Sequence, residues 1–121
     1  MTEHDIQNQI RIAISQNGLG VSFRTNVGSV WTGEQIIKNS DGSITIIKPR
    51  PFQTGLPEGF SDLFVVQPTP IGARPVFMEV KTAKGRIRPA QINFIKQMNN
   101  LGAKAGVVRS ADDALKLLRE E

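Results

Sequence analysis

The sequence predicts an α/β fold, a central mixed β-sheet flanked by α-helices. Two observations lead there. Apolar residues recur at helical spacing near both ends and once in between, while alternating or continuous apolar runs separate those stretches. The resulting order, helix, strands, helix, strand, helix, packs naturally as a sheet with helices laid against it. A chain of 121 residues suits one compact domain, residues 1–121, and 39% apolar residues supply a modest core.

Thr2 to about Gln16 reads as an amphipathic helix with Ile6, Ile10 and Ala13 on its buried stripe, blurred by Ile12 and Ile14. Thr2 or Asp5 caps its start, and Asn17-Gly18 with Gly20 stops it. Val21 to Val27 alternates as a strand. A short segment at Val30-Trp31 and a strand from Ile44 to Lys48 flank a turn at Asn39 to Gly42, and the two are expected to pair as a hairpin. Pro49 to Gly59, with three prolines and two glycines, reads as a loop.

Asp62 to Gln67 and Val76 to Lys81 are the next strands, joined by a reversal over Gln67 to Gly72. After a loop at Lys84 to Arg88, Pro89 suits the first position of a helix, where its missing N–H costs nothing. That helix runs to about Leu101, with Ile92, Ile95, Met98 and Phe94 turned inward, and Gly102 ends it. Ala105 to Val108 is a short buried strand. Ser110 to Asp113 resembles a capping box, and the last helix buries Leu115 and Leu117 or Leu118.

The absence of cysteine excludes disulfides, thiolate metal sites and a cysteine nucleophile. No secretory signal is visible, and no apolar run approaches the roughly 20 residues that span a bilayer, so a soluble intracellular protein with no membrane partner is expected. The net charge of +4 is mild. Its distribution says more: Lys81, Lys84, Arg86 and Arg88 fall within eight residues, with no acid after Glu79. Such a patch suits a phosphate backbone, and equally an ordinary solvated charge run.

The strongest chemical signal is Val76-Phe-Met-Glu79-Val-Lys81. Alternation puts Glu79 and Lys81 on one face and Val76, Met78 and Val80 on the other. A charged pair in a buried strand is a poor source of stability, which points to a functional task. Asp62 opens the apolar run Leu63-Phe64-Val65-Val66. If its strand pairs with the one carrying Glu79, the two carboxylates converge and form a hard oxygen site for Mg2+ or Mn2+. Lys81 would then orient water or stabilise charge on phosphorus. The residues alone leave open a surface cross-pair on a half-exposed strand.

This ordered set resembles the VRR-NUC family of the PD-(D/E)xK nuclease superfamily, most closely its short stand-alone members from phages and bacteria. Asp62 with Glu79-Val-Lys81 is similar to the superfamily's acid followed by acid-x-lysine. Gly59-Phe-Ser-Asp62-Leu resembles the glycine turn leading to the metal-binding aspartate, with Ser61 replacing the superfamily's proline. Lys84-Gly-Arg86 with Pro89-Ala-Gln91, and Gly102 to Ser110, resemble the stretches that follow.

The resemblance implies a restriction-endonuclease-like core and metal-dependent DNA cleavage. It implies catalytic roles for Asp62, Glu79, Lys81 and Gln91, the last near the scissile strand or positioning Lys81. It implies metal ligation by Asp62, Glu79 and the Val80 backbone carbonyl, with Glu3 joining through water. Phe23-Arg24-Thr-Asn26-Val-Gly28 is similar to the family's arginine–asparagine–glycine stretch, so Arg24 and Asn26 join Lys84, Arg86 and Arg88 as DNA-binding candidates. His4, the lone histidine, reads as a surface residue.

The stand-alone members resemble Holliday-junction resolvases. That implies branched DNA as substrate, a homodimer, and work in the cytoplasm of a bacterial host. Flap or fork cleavage by the same fold, a catalytically silent DNA-binding protein, and a hydrolase of a small phosphate compound are the competing readings.

Overall fold

The computed structural model describes residues 1–25 and 29–120. In chain order the elements are α1 (Glu3–Gln16), β1 (Val21–Arg24), β2 (Ser29–Thr32), β3 (Gln35–Lys38), β4 (Ile44–Ile47), β5 (Arg50–Gln53), β6 (Leu63–Thr69), β7 (Gly72–Val80), α2 (Pro89–Asn100), β8 (Lys104–Val108) and α3 (Ala111–Arg119). They fall into two compact units: Met1–Thr25 with Gly59–Glu121, and Asn26–Glu58.

The first unit holds a four-stranded sheet in the order β1-β6-β7-β8. β1/β6 and β6/β7 are antiparallel and β7/β8 is parallel, with α2 as the crossover between them. This is the mixed sheet flanked by helices that the sequence predicts. One face presents Leu63, Val65, Val76, Met78, Val80 and Val108 to Ile6, Ile10 and Ile14 of α1 and to Ala114 and Leu118 of α3. Each such side chain contributes about 1.5–3 kcal/mol by leaving water. The opposite face carries Phe23, Phe64 and Phe77, aligned across three strands. Phe60 and Phe94 stack onto them, with neighbouring ring centroids 4.7–6.3 Å apart.

Several local expectations are corrected in this unit. The buried stripe of α1 is Ile6, Ile10 and Ile14; Ala13 is only half-buried, because a strict four-residue step carries the stripe to Ile14. Thr2 and Asp5 form a reciprocal cap at its start: the Asp5 N–H donates to Thr2 Oγ1 over 3.1 Å, and the Thr2 N–H to Asp5 Oδ2 over 2.9 Å. Strand β1 is described only to Arg24, and Val27 lies outside the described residues. The β6–β7 reversal shrinks to Pro70-Ile71, because both strands run on as far as Thr69 and Gly72.

On α2, Ile92 is exposed, because the covered face is set by Gln91 and Phe94, with Ile95 and Met98 half-buried. Gly102, at φ +95°, supplies the left-handed turn that ends the helix. On α3, Ser110 Oγ accepts from the Asp113 N–H, but Asp113 reaches back to the Arg109 N–H, one residue beyond the cap. Leu118 is buried there, while Leu115 and Leu117 are half-buried.

The second unit is a two-stranded ribbon. The expected pairing of Val30-Trp31 with Ile44–Lys48 does not form. β2 pairs with β5, Trp31 opposite Pro51, and β3 pairs with β4 across the Asn39–Ser43 turn. Strand β5 therefore lies inside the stretch that reads as a loop. Pro51 is tolerated because each strand of a two-stranded ribbon is an edge, so one row of its N–H groups has no neighbour to serve.

Candidate active site

The site lies at the end of the β6/β7 pair. Asp62 stands one step beyond the Leu63–Met78 pair, which brings it opposite Glu79 on the phenylalanine face. The chain reaches Asp62 through Gly59, whose φ of +87° favours glycine and where a Cβ would collide with the Ala90 carbonyl of α2. Ser61 is fully buried, and its carbonyl accepts from the Thr25 hydroxyl. The Thr25 N–H donates to the Asp62 carbonyl over 3.0 Å. Asp62 is thus fixed from Thr25, the residue after β1, while its Oδ2 accepts the Val80 N–H over 2.8 Å.

Glu79 is 2% exposed. Its Oε1 accepts from Gln91 Nε2 at 2.8 Å and lies 3.9 Å from Lys81 Nζ. Gln91 cannot turn its amide freely, because its Oε1 accepts the Arg88 N–H over 2.9 Å at the start of α2. The amide group is therefore held with its donor toward Glu79. Glu79 Oε2 is buried and has no hydrogen-bond partner among the described residues. Burial, and then the Asp62 charge, push the Glu79 carboxyl up to about 8; Lys81 opposes the shift and Glu3 adds to it. Two ionised carboxylates have no hydrogen to share, so the pair needs either a proton or a cation between its oxygens.

The residues fit a hard divalent cation: an unpartnered carboxylate oxygen faces a second carboxylate, with backbone beside them. Among the described residues no three acidic or histidine side chains gather into a ready-made cluster. Any cation there would complete its shell with backbone, water or substrate oxygens. Glu3, exposed on the first turn of α1, stands close enough for its charge to act on Glu79.

The remaining candidates are distributed around this centre. Arg24, at the end of β1, meets His4 at 3.1 Å between Nη2 and Nδ1. Lys84, Arg86 and Arg88 are exposed on the segment between β7 and α2. Asn26 and Gly28 lie outside the described residues.

Sequence reasoning missed Arg109. Its Nη1 donates to the carbonyls of Thr82 at 2.6 Å and Gly85 at 2.9 Å, clamping the loop that follows Lys81. An arginine just after a buried strand and before a helix cap was the available signal. Arg109→Ala is expected to free this loop, so that trypsin cuts after Lys84 and Arg86 about tenfold faster, by the ~1.4 kcal/mol that two lost charge-assisted bonds exceed. An unchanged cleavage rate would show that the loop holds its shape without the clamp.

No curated protein matches the chain. The family model described as the VRR-NUC domain matches residues 1–112, a span that takes in Asp62, Glu79, Lys81 and Gln91. With the mixed sheet and this cluster of acids and lysine in place, the chain belongs to the VRR-NUC family, a branch of the PD-(D/E)xK nuclease superfamily.

Proposed function

We propose that this chain is a divalent-metal-dependent endonuclease that hydrolyses phosphodiester bonds in branched DNA, in the manner of a Holliday-junction resolvase. In this reading residues 1–121 act as one nuclease domain, as a homodimer in the cytoplasm of a bacterial cell. The observation that carries the chemistry is the buried, unpartnered Glu79 Oε2 beside Asp62. No described helix is long and apolar enough to cross a membrane.

Asp62, Glu79 and the Val80 carbonyl would hold Mg2+ or Mn2+, with Glu3 joining through water. The chemistry gained from the cation is positive charge against the phosphate oxygens and a more acidic attacking water. Lys81 presents its ammonium on the same face, where it orients the water and opposes charge building on phosphorus. Gln91 keeps Glu79 Oε1 occupied by a donor, which directs Oε2 toward Asp62. Lys84, Arg86 and Arg88, with Arg24 and Asn26, would receive the DNA backbone. Two symmetric cuts across a four-way junction need two active sites, which supports the homodimer.

The test is cleavage of a labelled four-way junction beside flap, splayed-arm and linear duplex substrates, with Mg2+, Mn2+ or EDTA. Paired symmetric cuts in the junction, abolished by EDTA and by Glu79→Ala, are expected. Cutting confined to the flap or splayed-arm DNA would keep the chemistry and remove the resolvase role. Binding without cutting under every metal condition would mark a silent DNA-binding protein.

Arg86→Ala gives a graded check on the backbone contacts. Its affinity for duplex should fall about equally for all sequences, and the slope of log affinity against log salt should drop by about one. An unchanged slope would remove Arg86 from the interface.

A further inference from the structure

We infer that Arg109 is a positioning residue for the reaction: through the loop that follows β7, it holds the Lys81 ammonium beside the acid pair. The inference rests on the role proposed above for Lys81 and says what keeps that lysine in place.

Lys81 needs such a support. Its Nζ lies 3.9 Å from Glu79 Oε1, too far for a hydrogen bond that would fix its direction. A lysine ammonium sits on a flexible four-carbon stem, so its place must come from what covers that stem. Lys81 is nevertheless only 8% exposed. Gly85 supplies part of the cover. A Cβ there would stand 3.4 Å from Lys81 Cβ and 3.2 Å from Thr82 Oγ1, so the loop backbone is seated on the base of the stem.

Arg109 determines where that loop lies. Its Nη1 draws in three carbonyls, at 2.6 Å from Thr82, 2.9 Å from Gly85 and 3.4 Å from Ala83. The turn already closes on itself, with the Gly85 N–H donating to the Thr82 carbonyl over 3.1 Å. The guanidinium is therefore not required to make the turn; it pins the turn against the end of β8. Arg109 is anchored in its own right. Its N–H donates to Asp113 Oδ2 over 3.0 Å at the start of α3, a helix held in the core by Ala114 and Leu118. The preceding residue completes the support, because the Lys81 N–H donates to the Val108 carbonyl over 3.1 Å. Two consecutive residues thus hold Lys81 twice, its backbone through Val108 and its stem through Arg109 and Gly85. Arg109 is half-buried and its Nη1 is taken up by carbonyls, so it is not offered to phosphate as the exposed Lys84 and Arg86 are.

Brief acylation of the 121-residue chain with acetic anhydride, read lysine by lysine by mass spectrometry, tests this, with exposed Lys84 as the internal reference. In the wild type Lys81 should react far more slowly than Lys84. In Arg109→Ala the ratio of Lys81 to Lys84 labelling should rise about tenfold, because the lost charge-assisted bonds no longer keep the loop over the stem. Faster trypsin cleavage after Lys84 and Arg86 with an unchanged labelling ratio would mean that the loop moves and Lys81 does not, which overturns the inference. Single-turnover cleavage of the four-way junction at saturating DNA should fall about 100-fold in Arg109→Ala, the scale for a misplaced reacting group. Junction affinity in Ca2+ should change by less than about threefold, the pattern of a loss confined to the transition state. Lost affinity with an unchanged rate would make Arg109 a support for the DNA-binding loop alone, and also overturns the inference.

Should Arg109→Ala fail to fold, Gly85→Val works the same path from the other end, since its branched side chain starts within 3.4 Å of Lys81 Cβ. The labelling ratio should rise and the rate should fall with affinity kept; an unmoved ratio overturns the inference. Labelling does not depend on catalysis. A wild type that cuts no DNA, yet guards Lys81 until Arg109 is removed, would sink the proposed activity and leave this brace standing.

Discussion

Glu79→Gln is expected to abolish cleavage while making the metal-free protein more stable. The carboxyl is pushed up to about 8 from an ordinary value of 4.5, chiefly by burial and then by Asp62. Between those two values the folded state holds a proton that the unfolded state has released. Stability is therefore fully present below about 4.5 and is lost progressively as pH rises to about 8. A neutral amide removes that loss and offers Asp62 a donor, so the thermal midpoint near neutral pH should rise by about 4 °C for each kcal/mol gained. The pH slope should flatten over the same window.

Added Mg2+ or Mn2+ should act in the opposite sense on the wild type. A cation binds the ionised pair, so the stabilisation it gives should grow with pH and level off above about 8. Turnover of Glu79→Gln should fall by roughly 10³-fold or more, the scale on which preorganised charge acts. Thermal unfolding from pH 4 to 9, with and without metal, beside single-turnover cleavage, reads all of this. A Glu79→Gln protein that loses stability near neutral pH would show that the carboxylate is held by native partners and is not waiting for a cation.

The sheet was legible in the sequence where periodicity and burial coincide. Leu63 to Val66 and Val76 to Val80 show apolar residues toward α1 and α3, and alternation alone sends Asp62, Glu79 and Lys81 to the other face. Pairing of neighbouring strands then brings Asp62 opposite Glu79. Of the ribbon, the turn at Asn39 to Gly42 and the strand from Ile44 were legible, while β3, β5 and the pairing were not. Pro49 and Pro51 mask β5, and the pairing of Trp31 with Pro51 depends on how far the chain runs before it turns, which local pattern does not encode. Arg109 escaped for a related reason: its partners are backbone carbonyls some 25 residues earlier in the chain, and carbonyls carry no sequence signature. Gln91 shows the intermediate case. Its place on α2 was visible, whereas its bond to Glu79 follows from the Arg88 N–H that holds the amide in one orientation.

Lys81→Met should be the most damaging single change, and its effect on stability should depend on Glu79. Lys81 Nζ lies 3.9 Å from a carboxylate that is itself nearly inaccessible to water. Above about pH 8, where Glu79 is ionised, removing the ammonium leaves its negative charge facing Asp62 with less to offset it, so metal-free stability there should fall by about 3 kcal/mol, the scale for breaking a buried pair. The Glu79→Gln substitution removes the charge that needs offsetting. In that background Lys81→Met should cost less than about 1 kcal/mol, which makes the two changes strongly non-additive. Cleavage behaves differently, because both residues act in one transition state: each single variant and the double variant should be similarly inactive. Duplex binding in Ca2+ should survive in all three, since the exposed contacts at Lys84, Arg86 and Arg88 are untouched. Denaturant titrations of the four proteins above about pH 8, beside a set near pH 6 where the protonated Glu79 should show little coupling, measure it. Additive losses would mean that Lys81 and Glu79 do not sense each other, and Lys81 would then have to act on the substrate alone.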